Sequence, residues 1–159
     1  MDGYYFPGGY PELHAEALSK NRSLLKEVKK AGTSGKMILG ECGGLMYLGK
    51  HITSETGKKF SMAGLFNFAT SIKARKLTLG YRKLTNTSSK NKNPVLFGHE
   101  FHYSTFTVNK ERTQWTDCHS KKPVVLKDGY RIKNCHSFYT HIYWASNKDW
   151  LNYLTRPTS

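Results

Sequence analysis

The sequence predicts an α/β domain built on a partly parallel sheet. Two short apolar runs, at residues 4–6 and 37–39, each lead into a glycine-containing turn, and residues 12–31 between them carry helical spacing. The order strand, helix, strand, sharp turn, helix is typical of parallel strands in an α/β domain. From Ile52 onward the apolar runs are short and interrupted by polar loops, which predicts further strands, several of them antiparallel.

Length and composition point to one folded domain. The 159 residues, 38% of them hydrophobic, are enough for a single core. No apolar run reaches the roughly 18 residues of a membrane span, and the N-terminus lacks the pattern of a secretory signal. Three cysteines at irregular spacing do not suggest a disulfide framework. We therefore expect one cytoplasmic domain over residues 1–159, with reduced thiols and no membrane partner.

The chain is strongly basic, with a formal net charge of +14. Such a charge attracts nucleic acid, anionic membranes and acidic ligands alike. The lysines are scattered along the chain, however, and no nucleic-acid-binding motif accompanies them. We expect a solvated basic surface and no nucleic-acid partner.

The first elements are predicted from turn residues and apolar spacing. Residues 4–6 predict a buried strand that stops at the Pro-Gly-Gly sequence of residues 7–9. Two apolar stripes with helical spacing follow, with a break at residues 21–23, and Gly32 and Gly35 end this region. The stripes consist of Leu13, Ala17 and Leu18, and of Leu24, Leu25 and Val28.

The later elements are shorter. Residues 86–94 are the clearest exposed loop, and residues 146–149 form a capping-box pattern ahead of a final helix. The remaining strands are predicted at residues 62–68, 77–84, 95–101 and 103–108, and the final helix carries Trp150, Leu151 and Leu154.

Residues 40–44 carry the main chemical signal. They read Gly-Glu-Cys-Gly-Gly, directly after an apolar strand and before residues 45–48, which have helical character. Gly-x-Cys-x-Gly in this setting is the cysteine version of a nucleophile elbow, in which a sharp turn lifts the reactive side chain above the strand end. The positive end of the following helix lowers the pKa of a thiol there. Cys42 is therefore predicted to be a nucleophile.

A cysteine nucleophile needs a base and donors for the oxyanion that forms when it attacks a carbonyl. The loop at residues 7–9 follows a neighbouring strand, so the backbone N–H groups of Gly9 and Gly43 are the candidate donors. Spacing does not choose among the histidines. His99, His102, His136 and His141 all remain candidate bases.

Five segments carry a resemblance to a known family. They read DGYYFPGGYPELHA at 2–15, ECGGLMYL at 41–48, LGYR at 79–82, GHEFHYS at 98–104 and YTHIYWASN at 139–147. In this order they resemble successive motifs of the cobyrinic acid a,c-diamide synthases, whose glutaminase half is a class I glutamine amidotransferase. The resemblance covers nearly all of the chain.

The resemblance implies a class I glutamine amidotransferase-like, flavodoxin-like fold, a mixed sheet with flanking helices that lacks its first elements. It places the activating histidine in the last motif, at His141. The wider family has a glutamate two residues after this histidine, whereas Tyr143 stands there in this chain, so a Cys42–His141 dyad is implied. The substrate pocket would include Gly8, Tyr10, His99, Glu100 and His102.

Two patterns suggest zinc and are set aside. The sequence His-Glu-Phe-His at residues 99–102 is one residue shorter than the metalloprotease motif, and it lies on a predicted strand where Glu100 and His102 share one face. The pairs Cys118-His119 and Cys135-His136 lack paired Cys-x-x-Cys spacing. No metal site is expected.

The resembling enzymes also carry an ATP-binding domain with a phosphate loop and magnesium. Residues 32–37 are the nearest lookalike in this chain, but they lack the glycine spacing and the Ser or Thr after lysine. The chain is therefore expected to be N-terminally incomplete relative to these enzymes and to hold no cofactor itself. ATP and Mg²⁺ are implied for the complete enzyme.

The function implied by the resemblance is hydrolysis of glutamine to supply ammonia. An ATP-binding synthetase domain or subunit would use the ammonia to amidate the a and c acetate groups of cobyrinic acid or a related corrinoid. One alternative is the related enzyme that acts on hydrogenobyrinate. Another is a non-catalytic fragment or interaction module, and a basic nucleic-acid binder ranks last. The sequence leaves self-association into a homo-oligomer open.

Overall fold

The computed structural model describes residues 3–86, 95–111, 113–117 and 127–149. The strands are β1 (Gly3–Phe6), β2 (Met37–Glu41), β3 (His51–Thr53), β4 (Lys59–Ser61), β5 (Phe68–Ser71), β6 (Thr78–Asn86), β7 (Leu96–His102), β8 (Thr105–Asn109), β9 (Thr113–Asp117), β10 (Lys127–Ile132), β11 (Cys135–Phe138) and β12 (His141–Ile142). The α-helices are α1 (Ala15–Lys20), α2 (Arg22–Thr33) and α3 (Gly43–Leu48), and short 3-10 helices span Pro11–His14 and Trp144–Ser146.

The strands form two sheets. The larger sheet has the order β1-β2-β11-β10-β9-β6-β7-β12, and the smaller has the order β4-β3-β5-β8. In the larger sheet β1, β2 and β11 run parallel to one another. Every other neighbouring pair, from β11–β10 along the sheet to β7–β12, is antiparallel. The α/β class and the mixed sheet predicted from the sequence are confirmed.

The first strand is less buried than predicted. β1 is the edge strand of the larger sheet in the described part of the chain, with β2 on one side. Its residues are half-buried, and Tyr5 is exposed. An edge strand packs against one neighbour only, so three apolar residues in a row do not ensure full burial here.

Two helices follow, as predicted, with the break at Asn21. The Asn21 side chain accepts a hydrogen bond from the Leu24 N–H at 3.3 Å and so caps α2. The predicted first stripe holds only at Leu18, which packs partly buried against the core; Leu13 and Ala17 are exposed, and Ala15 is buried instead. The second stripe holds only in part: α2 buries Leu25, Val28, Ala31 and Gly32, and Leu24 faces outward.

The strand predicted at residues 62–68 is the largest error. β4 ends at Ser61, and the apolar residues after it close the end of α3 instead. The N–H of Ala63 donates to Tyr47 O at 3.0 Å, and the N–H groups of Leu65 and Phe66 both donate to Leu48 O. The last carbonyls of a helix have no partner within the helix, so this buried segment satisfies them.

The other three predicted strands correspond to β6, β7 and β8. The core is continuous across the helices and both sheets, and a smaller apolar cluster lies on the far face of the larger sheet. The main core is centred on Val28, Ile38, Leu45, Leu48, Phe66, Phe68 and Tyr130. The smaller cluster consists of Leu39, Leu84, Leu96, Phe138 and Ile142, with Trp144 packed against it.

The C-terminal prediction is tested only at its start. Ser146 closes a 3-10 helix, and the Asn147 side chain accepts from the Asp149 N–H at 3.0 Å, so the capping residue is Asn147 and not Ser146. The predicted final helix at Trp150, Leu151 and Leu154 lies outside the described residues, as do Cys118, His119 and most of the predicted loop at 86–94. None of the described helices has the length and apolar character of a membrane span.

Candidate active site

Cys42 occupies a sharp turn between β2 and α3, as the sequence predicts. Its φ of 48° and ψ of −103° lie in a region that residues other than glycine rarely adopt. The turn is fixed on both sides: the Cys42 N–H donates to Phe138 O of the adjacent β11 at 2.7 Å, and the Cys42 carbonyl accepts from the Met46 N–H at 3.1 Å. Backbone strain held in this way is typical of functional positions.

The expectation of a lowered thiol pKa is wrong for this conformation. Cys42 is only 5% exposed, and burial raises the pKa of its thiol to about 11. The Gly43 N–H opposes the shift, whereas the charges of Glu12, Glu100 and Glu41 add to it. A six-residue helix does not offset this desolvation. The Cys42 thiol is therefore neutral in this conformation, and the predicted nucleophile would need a base.

The glycines around Cys42 allow very close backbone approach. An added methyl group on Gly43 would stand 2.5 Å from Gly9 O, and one on Gly44 would overlap the backbone of Phe6. The loop after β1 thus packs directly on the first turn of α3. Gly9 and Gly43 are neighbours, as the predicted oxyanion site requires, and the Gly43 N–H faces the Cys42 sulfur. Their role as oxyanion donors stays a prediction.

His141 reaches the same loop from the opposite end of the larger sheet. It lies on β12, where it pairs with His99 of β7, and the two imidazole rings stack at 4.9 Å. A methyl group on Gly8 would overlap the His141 ring. Because Gly8 contacts His141 and Gly9 contacts Gly43, the loop after β1 connects the predicted base with the predicted nucleophile.

In the described residues no hydrogen bond joins Cys42 to His141. The thiol donates instead to Phe101 O of β7, at 3.8 Å. Burial and the neighbouring His99 lower the pKa of His141 below its ordinary value of 6.5, so its ring is neutral at pH 7 and able to accept a proton. Catalytic contacts often tighten only in the substrate complex. The dyad therefore stays a prediction, which the shared loop supports.

The predicted pocket residues on β7 divide by face. His99 is exposed beside His141, whereas Glu100 and His102 are buried. Glu100 accepts from Arg82 Nη2 at 2.6 Å, and His102 bonds Ser104 O at 2.9 Å through Nδ1 and stacks on Tyr139. These contacts hold the strand whose Phe101 carbonyl accepts the thiol. A direct substrate role for Glu100 and His102 stays a prediction.

A groove of about 450 Å³ is lined in part by Glu12, whose charge acts on Cys42, although Cys42 itself does not line it. Its wall includes Tyr10 and Glu12, which directly follow the loop packed on Gly43, and Tyr103, two residues beyond Phe101. Across the groove Arg75, which has a φ of 38°, is paired with Glu55. Ile72 and Leu13 complete the lining. Sequence analysis placed Tyr10 in the predicted substrate pocket but not Arg75, which no motif marks, or Tyr103, although it lies in the family-like segment at 98–104.

The described residues do not fit a phosphate or metal site. Residues 32–37 span the end of α2 and the start of β2, whereas a phosphate loop runs from a strand into a helix N-terminus. In the described ranges no group of three His, Cys, Asp or Glu side chains is arranged to hold a metal ion. The Cys135 thiol donates to Lys36 O, and His136 is buried in the sheet.

Comparison with known proteins identifies a family and several relatives. Residues 1–149 match the family described as the CobB/CobQ-like glutamine amidotransferase domain. Cobyrinate a,c-diamide synthase of Saccharolobus solfataricus is 36% identical over 149 residues, which are 91% of this chain and 34% of that protein. The Leptospira interrogans protein of the same name is 38% identical over 92% of this chain and 34% of its own length.

A differently named relative shows a similar likeness. Hydrogenobyrinate a,c-diamide synthase of Rhizobium meliloti is 42% identical over 65% of this chain and 24% of that protein. The chain thus spans about a third or less of the curated relatives that it matches.

Solved structures agree on the fold. A crystal structure of a glutamine amidotransferase matches with a TM-score of 0.68 at 16% identity, covering 97% of this chain and 77% of that one. A glutamine amidotransferase from Thermotoga maritima matches with a TM-score of 0.56 at 14% identity, over 96% and 61% of the two chains. The predicted amidotransferase-like fold is confirmed.

Proposed function

The chain belongs to the CobB/CobQ-like glutamine amidotransferase domain family, and from this premise we propose that it hydrolyses glutamine through Cys42 and His141. One observation carries the proposal. Cys42 stands in a strained strand-to-helix turn, and the loop that packs on this turn also contacts the His141 ring. A buried neutral thiol and a neutral imidazole on either side of one glycine loop suit nucleophilic attack on an amide.

The proposed reaction begins with transfer of the Cys42 proton to His141. The sulfur then attacks the side-chain amide carbon of glutamine, and the N–H groups of Gly9 and Gly43 bind the oxyanion. His141 returns the proton to the leaving nitrogen as the carbon–nitrogen bond breaks, which releases ammonia. Water hydrolyses the resulting thioester with His141 again as the base, giving glutamate and the free thiol.

The groove lined by Tyr10 and Glu12 has the charges that an amino acid needs. Arg75 offers a guanidinium for the α-carboxylate of glutamine, and Glu12 and Glu55 offer carboxylates for its α-ammonium group. Tyr10 and Tyr103 would flank the aliphatic part of the side chain. We place bound glutamine here, with its amide directed toward the turn at Cys42.

The ammonia acceptor is proposed from the relatives' names. Cobyrinate and hydrogenobyrinate are corrinoids rich in carboxylates, and their amidation needs ATP and Mg²⁺, which the described residues do not fit. A separate synthetase part would bind them. The faces of β6 and β7 beside His99 and His141 support such a partner, because they expose large apolar side chains. These are Leu79 and Tyr81 of β6 and Phe97 and Phe101 of β7, and Tyr143, just after β12, is exposed as well.

The test of the proposed function measures glutamate released from glutamine by the purified chain, alone and with a synthetase domain of a relative supplied with ATP, Mg²⁺ and cobyrinate. We expect glutamine hydrolysis that requires Cys42 and diamide formation only when the synthetase domain is present. Glutamate release that persists in Cys42→Ala would refute the catalytic assignment. Diamide formation by the chain alone would refute the division of labour.

A further inference from the structure

Glu41 is a buried carboxylate in an apolar setting that the reaction as described does not use. It is the last residue of β2, one peptide bond before Cys42, and its side chain is 3% exposed. Alternation along β2 puts it on the face of Leu39, which belongs to the smaller apolar cluster with Ile142 and Trp144. Burying a carboxylate in such surroundings costs free energy unless it is hydrogen-bonded.

Its polar neighbours come from the two ends of the larger sheet. Tyr5 Oη of β1 donates to Glu41 Oε2 at 3.3 Å. Ile142 and Trp144 belong to the apolar cluster on this face, and the Trp144 indole and the Ile142 N–H lie near enough to favour the ionised carboxylate, while Glu41 Oε1 has no hydrogen-bond partner among the described residues. The Ile142 N–H belongs to the peptide that joins it to His141. Glu41 therefore stands one peptide from the predicted nucleophile and faces the peptide that follows the predicted base.

The charge of Glu41 does not activate the thiol. Burial raises the pKa of Glu41 to about 7 although Tyr5, Trp144 and Ile142 act to lower it, and Asp128 of β10 adds to the rise. A carboxylate at Glu41 in turn raises the pKa of Cys42. The carboxylate therefore does not serve to lower the thiol pKa, and its position against β12 indicates a different role.

We propose that Glu41 is a positioning residue that fixes the strand end carrying His141 to the turn carrying Cys42. It acts through the backbone of β12 and not on the imidazole ring. Tyr143, two residues after His141, is 64% exposed and does not fill this role from the position where the wider family has a glutamate. The inference rests on the proposed Cys42–His141 chemistry.

The experiment compares Glu41→Gln with a matched control, Glu27→Gln. Glu27 also accepts from a tyrosine of β1, Tyr4 Oη at 2.7 Å, but this pair is exposed and lies away from Cys42. We expect Glu41→Gln to lower kcat for glutamine hydrolysis about 10- to 100-fold, since small misplacements of a catalytic group have effects of this order, with KM changed less than about twofold. The pH at which iodoacetamide begins to alkylate Cys42 should fall, because the substitution removes the negative charge of Glu41, which raises the pKa of the thiol. Glu27→Gln should change neither.

A lower kcat together with a thiol that reacts at lower pH is the result expected of a positioning residue, and it differs from the result of a general loss of structure. If hydrolysis and the melting temperature fall together and Cys135 becomes alkylated as well, Glu41 is only a structural residue and the proposal is wrong. Unchanged kcat in Glu41→Gln also overturns it.

A third measurement does not depend on turnover. The Cε1–H resonance of His141, followed by NMR, should shift in Glu41→Gln and stay in place in Glu27→Gln. If the unsubstituted chain hydrolyses no glutamine, the proposed function fails, while this resonance still decides the inference: an unmoved His141 signal in Glu41→Gln overturns it.

Discussion

The two ends of the larger sheet hold their functional residues by different means. At the parallel end, Cys42 is fixed by backbone hydrogen bonds to Phe138 of β11 and to Met46 of α3, and by close glycine contacts with the loop after β1. At the antiparallel end, strand pairing and ring stacking with His99 place His141, and its ring packs on Gly8. The predicted nucleophile is thus fixed by backbone contacts, whereas the predicted base is fixed by strand pairing together with the packing of its own side chain.

The largest effect should come from removing the residue at the parallel end. Cys42→Ser should lower glutamine hydrolysis by at least about 10³-fold, since no other group near the turn replaces the thiolate. Cys135→Ser is the control, because Cys135 is equally buried but lies at the far end of β11 and bonds Lys36 O. Glutamate release in a coupled assay measures both variants. Equal losses would show that the local turn does not define the nucleophile.

Removing the base should have a smaller effect. His141→Asn should reduce kcat by about 10²- to 10³-fold, in the range of lost general base catalysis. His102→Asn should instead lower thermal stability, because His102 packs on Tyr139 and bonds Ser104 O inside the protein. Steady-state kinetics with thermal unfolding distinguishes the two. A greater loss of kcat in His102→Asn than in His141→Asn would place the base on β7.

One kind of substitution, glycine to alanine, tests the comparison at two positions. Gly44→Ala should destabilise the protein by about 1–3 kcal/mol, since its methyl group would meet the rigid backbone of Phe6. Gly8→Ala should change stability less, since its methyl group meets the movable His141 ring, and should reduce kcat about tenfold by displacing this ring. Urea unfolding and kinetics would record both. A larger stability loss for Gly8→Ala would contradict the distinction.

The smallest predicted effect is on pH dependence. His141 must be neutral to accept the thiol proton, and burial and His99 lower its pKa below 6.5. Activity should therefore fall only as pH drops below 6.5. His99→Asn removes the like charge, so the pKa of His141 should rise and the acid limb should move to higher pH. A kcat/KM profile checks this, and an unmoved limb would indicate that His99 does not act on the base.

The same contrast explains how much the sequence could predict. The turn at residues 40–44 is a local motif, so strand, turn and helix were all predicted correctly around Cys42. β11 was missed, although it pairs with both β2 and β10, because four residues reading Cys-His-Ser-Phe have no distinctive period. Residues 62–68 were misread because an apolar run that caps a helix looks like a strand. The base could be assigned only by family resemblance.

The contact between Tyr5 and Trp144 around Glu41 was beyond prediction for the same reason. These residues belong to opposite ends of the chain, and only the packing of β12 across the sheet brings them together. Arg75 was missed because its place in the groove depends on pairing with Glu55 and not on a motif.

The position of β11 also sets an order of events during synthesis. β11 lies between β2 and β10, yet Cys135 bonds Lys36, 99 residues earlier in the chain. A ribosome adds about 5–20 residues per second. Several seconds therefore pass between synthesis of β2 and α3, which bear Cys42, and synthesis of β11, the strand that pairs with β2. During this interval the open side of β2 is an unpaired edge. We expect nascent chains arrested before residue 135 to be captured by chaperones and sensitive to proteases.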